Sequence, residues 1–416
     1  MKLINYIKNN YNFYILIGLT LAFHFVSAEA FLIGVLTLFL FYLFLDMIIN
    51  KHIPLNKKYF ITIPLLIYLC IGLILGIFYN YENHNILRDI FYHTNTLAVI
   101  LLALSIFTDK ITKEQVFWTI LIVGTIMGII ILLKIKDFIE EGNELKYSSL
   151  RKLSSAGYII NFIAVISFLF IKKYKYITIP LSIFNLFVAI LSFSRILLIL
   201  LILIIFFMML YYLIFTKYKI LILSIAFIIV MSLYFASTTD LYQDYVLRFS
   251  KALNEINPNQ DWTISKNINN AWRGYEIWMI CNDFNNSDIL TKIFGHGFGS
   301  FIYSDYPIYV STVIDGKQVA EKINEIAIFH NGYFGSLFKC GIVGISLYIY
   351  FIISLYFCSF KYIKDKKDLF LNIALITYVL IATYVVMGLF HKEVWFILVF
   401  LIIYLIKYNM NKKESN

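Results

Sequence analysis

Arg195-Ile196-Leu197-Leu198-Ile199-Leu200-Leu201-Ile202-Leu203-Ile204-Ile205-Phe206-Phe207-Met208-Met209-Leu210-Tyr211-Tyr212-Leu213-Ile214-Phe215 carries no charge after its opening arginine. Wound as an α-helix at 1.5 Å per residue, the stretch is about 30 Å long, the thickness of the hydrocarbon core of a bilayer. Comparable apolar runs lie near 11–28, 30–49, 59–80, 89–107, 114–133, 153–171, 175–193, 218–235, 330–358, 369–388 and 391–407. The chain therefore reads as an all-α polytopic membrane protein of about twelve transmembrane helices. Its composition agrees: 61% of the 416 residues are hydrophobic and only 14% are charged, which excludes an ordinary soluble domain.

The net charge of +10 would suggest a nucleic-acid partner in a soluble protein. Here the lysines gather in short loops between apolar runs, so the charge is read as topology and the partner as the lipid bilayer, with no nucleic acid. An even number of spans with most Lys and Arg on one side places both termini in the cytoplasm. Lys134, Lys136, Lys146, Arg151 and Lys152 run against this assignment, because it puts their loop outside. Ala28-Glu29-Ala30 has the small-residue form of a signal-peptide cleavage site. A second apolar run follows at once, however, so the first is read as a retained span.

Three regions result: 1–235 with transmembrane helices one to nine, 236–329 as one large extracytoplasmic loop with short helices, and 330–416 with the last three helices and a cytoplasmic tail. A long outer segment without a repeat is expected to carry function. Cys70, Cys340 and Cys358 lie in apolar segments and Cys281 in the long loop, with no CxxC, so neither structural zinc nor a disulfide framework is indicated. No pair of Gly/Pro-broken helices recurs in the two halves, which argues against a lipid-glycan flippase or other transporter.

The polar candidates concentrate at the outer boundary. His330-Asn331 stands where the long loop enters an apolar run, and an imidazole there is poised for proton transfer near neutral pH. Lys339 would lie roughly 13 Å further along a helix, either as a functional charge or paired with a polar neighbour. Gly332, Gly335, Gly341 and Gly344 suit close helix packing. Arg195, after Ser192-Phe193-Ser194, suits forked recognition of phosphate oxygens or interfacial anchoring. In Ala271-Trp272-Arg273-Gly274-Tyr275-Glu276-Ile277-Trp278, an arginine among aromatic rings fits an anionic glycan. The same stretch also fits an interfacial helix with Arg273 paired to Glu276. Gly295-His296-Gly297-Phe298-Gly299-Ser300 lacks a Walker lysine and reads as a tight turn rather than a nucleotide loop. His296 and His330 have no carboxylate cluster at ligand spacing, so no metal is expected.

His330-Asn331, nine residues, then Gly341-x2-Gly344 resembles the signature of the O-antigen ligase family and of its relatives, the repeat-unit polymerases. Arg273 followed by Ile277 is similar to the family's Arg-x3-Leu element with Ile for Leu. Ser194-Arg195 resembles its Ser/Thr-Arg element, and Arg151-Lys152-Leu153-Ser154-Ser155-Ala156-Gly157-Tyr158 a weaker upstream one. The resemblance implies a glycosyltransferase C-like fold in the bacterial inner membrane with its active site facing the periplasm. It also implies transfer of a glycan from undecaprenyl pyrophosphate to lipid A-core with inversion, using neither nucleoside triphosphate, cofactor nor metal. On that resemblance His330 is the general base, Asn331 orients it or the acceptor, and Arg195 and Arg273 hold the donor pyrophosphate. Arg88, Arg151, Trp272, Tyr275 and Lys339 are further candidates for substrate contact. A polymerase would use the same donor with a second lipid-linked glycan as acceptor.

Overall fold

The computed structural model describes residues 2–25, 30, 32–38, 40, 57–105, 111–142, 159–191, 194–216, 250, 254–314, 317–386, 389 and 396–414. Helix α1 (Lys2–Phe25) is followed by a 3-10 turn (Lys57–Thr62), α2 (Ile63–Phe78), α3 (Asn83–Ser105) and α4 (Lys113–Glu140). Next come two short helices, α5 (Ile159–Ala164) and α6 (Ser167–Phe170), then α7 (Lys175–Leu191) and α8 (Arg195–Phe215). The following segment holds α9 (Ser265–Asn270), α10 (Trp272–Asn286), α11 (Ile289–Phe294) and an antiparallel hairpin of β1 (Ile302–Ile314) and β2 (Lys317–Ile326). Helices α12 (Gly332–Tyr362), α13 (Lys366–Val385) and α14 (Phe396–Glu414) complete the chain.

Among the described residues, six helices are long and apolar enough to cross a membrane: Phe60–Phe78, Asn83–Leu104, Lys113–Glu140, Arg195–Phe215, Gly332–Tyr362 and Lys366–Val385. Each coincides with an expected span. The expected spans at 30–49 and 218–235 lie largely or wholly outside the described residues. Bulky apolar side chains such as Ile74, Ile183, Ile202 and Phe357 point outward from the bundle, as hydrocarbon contact requires.

Two expectations change. Over the described part of the 153–171 run the chain forms α5 and α6 rather than one helix, and all of Ile159–Ala164 is buried. Asn161 Nδ2 donates to the Gly124 carbonyl at 2.7 Å and to Asn185 Oδ1 at 2.8 Å, which ties α5 to α4 and α7 inside the bundle. Hydropathy alone does not separate a helix buried in protein from one bathed in lipid. The second change is the β-hairpin in a segment expected to hold only short helices. Its signal was present in the sequence as β-branched runs on either side of Asp315-Gly316. The pairing shifts register between Tyr303 and Ile308, where Pro307 has no N–H to give the ladder.

Local chemistry fixes the helix starts that matter for the site. Asn331 caps α12, its Oδ1 accepting from Tyr333 N at 3.1 Å and Phe334 N at 3.2 Å. At the opposite end of the bundle a capping box starts α4: Thr112 Oγ1 accepts from Gln115 N, and Gln115 Oε1 accepts from Thr112 N at 2.9 Å. There Lys113 bridges to Asp365 at 3.2 Å and Asp368 at 2.8 Å, holding α4 against α13.

Gly341 interrupts α12 with φ 63° and ψ −160°. The break diverts the Phe338 and Lys339 carbonyls from the helix ladder, and they accept instead from His296 N at 2.9 Å and Gly297 N at 2.8 Å. The turn after α11 thereby threads into the bundle, where Phe298 is fully buried and its N–H donates to the Gly72 carbonyl at 2.8 Å. A Cβ at Gly341 would stand 2.3 Å from the Ile293 carbonyl oxygen. Gly341→Ala is therefore expected to cost about 2 kcal/mol or more from the left-handed backbone and this clash. A lower unfolding midpoint of the detergent-solubilised protein checks it.

Candidate functional site

One end of α2, α3, α8, α12 and α13 meets the 254–331 segment, and the candidate residues described below gather in that junction. Three clusters stand there. The first joins the two arginines singled out from the sequence. Arg195, the opening residue of α8, places Nη2 at 3.2 Å from Glu255 Oε1, and Arg273, in the first turn of α10, places Nη1 at 2.9 Å from Glu255 Oε2. Two guanidinium groups from distant parts of the chain thus converge on one carboxylate. The three side chains are each 21–29% exposed, so water still reaches the cluster.

The second cluster surrounds His330. Both oxygens of Glu276 contact this residue: Oε2 accepts from its backbone N–H at 2.9 Å, and Oε1 lies 2.9 Å from Nδ1. Trp272 Nε1 also lies 3.3 Å from Nδ1. Nδ1 has a single in-plane position for a proton or a lone pair, so it cannot serve both partners. The shorter contact to a carboxylate outweighs the longer indole contact, and Nδ1 is assigned as the donor. The imidazole is 50% exposed whereas Glu276 is 0% exposed, so the ring stands between a buried anion and the open site.

Helix periodicity explains the convergence. Trp272 and Glu276 are four residues apart on α10 and share the face that meets His330, while Arg273 is offset by one residue toward Glu255. Asn331 is fully buried; besides capping α12, its Nδ2 donates to the Tyr384 carbonyl at 2.7 Å. It anchors the start of α12 to the end of α13 directly behind His330.

The third cluster is a buried ion pair. Lys339 Nζ lies 2.6 Å from Asp89 Oδ2, both side chains being 2% exposed, and Lys339 also donates to the Ser300 carbonyl. Asp89 Oδ2 accepts in addition from Gly299 N at 2.8 Å, and Asp89 Oδ1 stands 3.1 Å from Arg88 Nε. These bonds lock the 295–300 turn between α3 and α12. Beside them lies a cavity of about 20 Å³, room for roughly one water, lined by Asp89, His93, Asn331, Ser336 and Lys339 among others. Lys339 is thus paired with Asp89 inside the bundle.

Removing one partner of such a pair strands the other in the interior, which costs about 3–5 kcal/mol. Lys339→Met is expected to lose stability on that scale. Adding Asp89→Asn should recover much of it, because the amide oxygen still accepts the Gly299 N–H. Unfolding midpoints of the single and double variants in detergent check this.

The remaining candidates separate. Tyr275 is fully buried, packing on Trp262 and Trp278 with its hydroxyl 2.7 Å from Ser304 Oγ, so it serves the core of the outer segment rather than an open sugar platform. Trp272 is half-buried and faces His330. Arg88 belongs to the Asp89 cluster, where Nη1 also donates to Asn85 Oδ1 at 3.0 Å. Arg151 lies outside the described residues. Sequence reasoning did not single out Glu255 or Asp89, and it paired Glu276 with Arg273 in one reading. No local signal marks which of many carboxylates a distant cation will meet. Among the described residues, no group of three His, Cys, Asp or Glu side chains is placed to hold a metal ion.

A mostly helical protein with six helices long and apolar enough to cross a membrane among the described residues thus brings two arginines and a carboxylate-held histidine together at one end of its bundle. Residues 180–349 match the family model described as O-antigen ligase. The matched segment contains Arg195, Glu255, Arg273, Glu276, His330 and Gly341. No curated protein matches the chain. That match points to lipid-linked glycan substrates and a membrane setting.

Proposed function

We propose that the protein is an O-antigen ligase of the bacterial inner membrane, with both termini cytoplasmic. In this reading it transfers a glycan from undecaprenyl pyrophosphate to lipid A-core at the periplasmic face. The observation that carries the reading is the placement of α10, which directs Arg273 toward the anion shared with Arg195 and Trp272 and Glu276 toward His330. An anion seat next to a base is what transfer from a glycosyl pyrophosphate needs.

The Glu255 carboxylate marks the anion seat. In the donor complex the pyrophosphate oxygens take its place between Arg195 and Arg273, and the guanidinium forks stabilise charge as it develops on the departing group. An acceptor hydroxyl attacks the anomeric carbon while its proton passes to Nε2 of His330. The new glycosidic C–O bond forms as the bond from the anomeric carbon to phosphate breaks. Undecaprenyl pyrophosphate leaves with the electron pair, and attack from the opposite face inverts the anomeric centre. Asn331 acts by fixing the chain beside His330. Because the donor is already activated, the reaction calls for neither nucleoside triphosphate nor metal.

The test is transfer of an undecaprenyl-pyrophosphate glycan to lipid A-core by the purified protein in detergent with EDTA present. Glycosylated core is expected. Elongation of the lipid-linked glycan without transfer to core would replace the ligase reading with that of a repeat-unit polymerase. Activity that vanishes with EDTA and returns with a divalent cation would overturn the metal-free mechanism.

A further inference from the structure

We infer that Glu276 is the positioning residue of the site: it holds the His330 proton on Nδ1, leaves the Nε2 lone pair facing the acceptor hydroxyl, and balances the imidazolium that forms when Nε2 takes the proton. The inference rests on the ligase reading, or on any other reaction in which His330 accepts a proton.

Two observations carry it. Glu276 is fully buried, whereas the ring it touches is half exposed, so the carboxylate is reserved for protein contacts. Its Oε2 accepts from the His330 backbone N–H at 2.9 Å and its Oε1 lies 2.9 Å from Nδ1, a contact that fixes the ring in position and, with Nδ1 assigned as the donor, in tautomer. The backbone N–H can only donate, so that half of the clamp persists whichever tautomer the ring adopts. A buried acceptor against one imidazole nitrogen, with the other nitrogen toward the reaction, is the arrangement that tunes histidine bases. Packing alone would have been met by an apolar residue without the cost of a buried carboxylate.

Glu276→Gln tests the assignment with little change of shape. The glutamine oxygen serves the fixed backbone N–H of His330, and the amide NH2 then faces Nδ1. Nδ1 responds by becoming an acceptor, which moves the ring proton to Nε2 and blocks the base. We expect kcat to fall by about 10² to 10⁴, the range spanned by loss of a general base and by wrong-tautomer substitutions. The donor KM and the unfolding midpoint should stay near wild type. On a His330→Ala background the substitution should cause no further loss, because Glu276 acts through the ring.

Wild-type turnover by Glu276→Gln alongside an inactive His330→Ala would overturn the positioning role and leave the ligase reading intact. Wild-type turnover by His330→Ala would overturn the base, and with it both proposals. A further loss on the His330→Ala background, or a lowered midpoint with raised KM, would make Glu276 a structural residue. A second measurement avoids altering Glu276: 15N spectra of histidine-labelled wild type, assigned against His330→Ala and recorded above the ordinary imidazole titration range. A protonated Nδ1 with bare Nε2 supports the assignment; the reverse overturns it.

Discussion

His330→Ala is expected to lower the rate of glycan transfer by about 10² to 10⁴, the usual contribution of a positioned general base. Two features make the loss chemical rather than structural. The ring is half exposed, so its removal opens little core. The buried Glu276 also keeps one donor, because the backbone N–H at position 330 remains whatever the side chain. The variant should therefore remain monodisperse in detergent, with an unfolding midpoint close to that of the parent, while turnover collapses. Product analysis with lipid-linked donor and core acceptor reads the effect. A variant that kept the parental rate while stably inserted would remove His330 from the mechanism.

Replacing Arg195 or Arg273 by Ala should reduce kcat/KM by about 10² to 10³ each, the scale found when one preorganised donor to a developing anion is lost. Lysine should restore little at either site, since an ammonium supplies charge without the planar fork. Glu255 tests the same idea with the opposite sign. Its carboxylate binds both guanidiniums, so the donor must displace it before the pyrophosphate can sit there. Glu255→Gln keeps the shape and removes the competing charge. A fall in donor KM of a few fold is expected, kept modest because the cluster is partly exposed and screened by solvent. Initial rates at varied donor concentration separate the cases. A raised KM would mean that Glu255 holds the arginines open for the donor rather than competing with it.

The buried Lys339–Asp89 pair contributes differently from these outer groups. It ties the 295–300 turn to α3 and α12, and so fixes the frame from which α12 begins and His330 projects. Loss of the pair should disturb stability first and turnover second, whereas loss of His330 or either arginine should do the reverse. That contrast separates frame from chemistry in a protein whose described polar candidates crowd one end of the bundle.

The sequence by itself determined the membrane class, because a run such as 195–215 has no charge after Arg195 and a length that matches the hydrocarbon core. It also singled out Arg195 and His330 at the ends of apolar runs, and Arg273 among the aromatic side chains of the long segment. The hairpin of β1 and β2 was missed, because the 236–329 segment was expected to hold short helices. Tertiary structure alone decided the partners. Arg273 had Glu276 within reach on its own helix, yet it bonds Glu255, while Glu276 turns to His330. Lys339 meets Asp89 from the opposite half of the chain. Apolar length and periodicity are local properties that each segment carries in its own residues. The choice of one carboxylate among many depends on how helices pack, and that is fixed by buried area and hydrogen-bond satisfaction summed over the whole bundle.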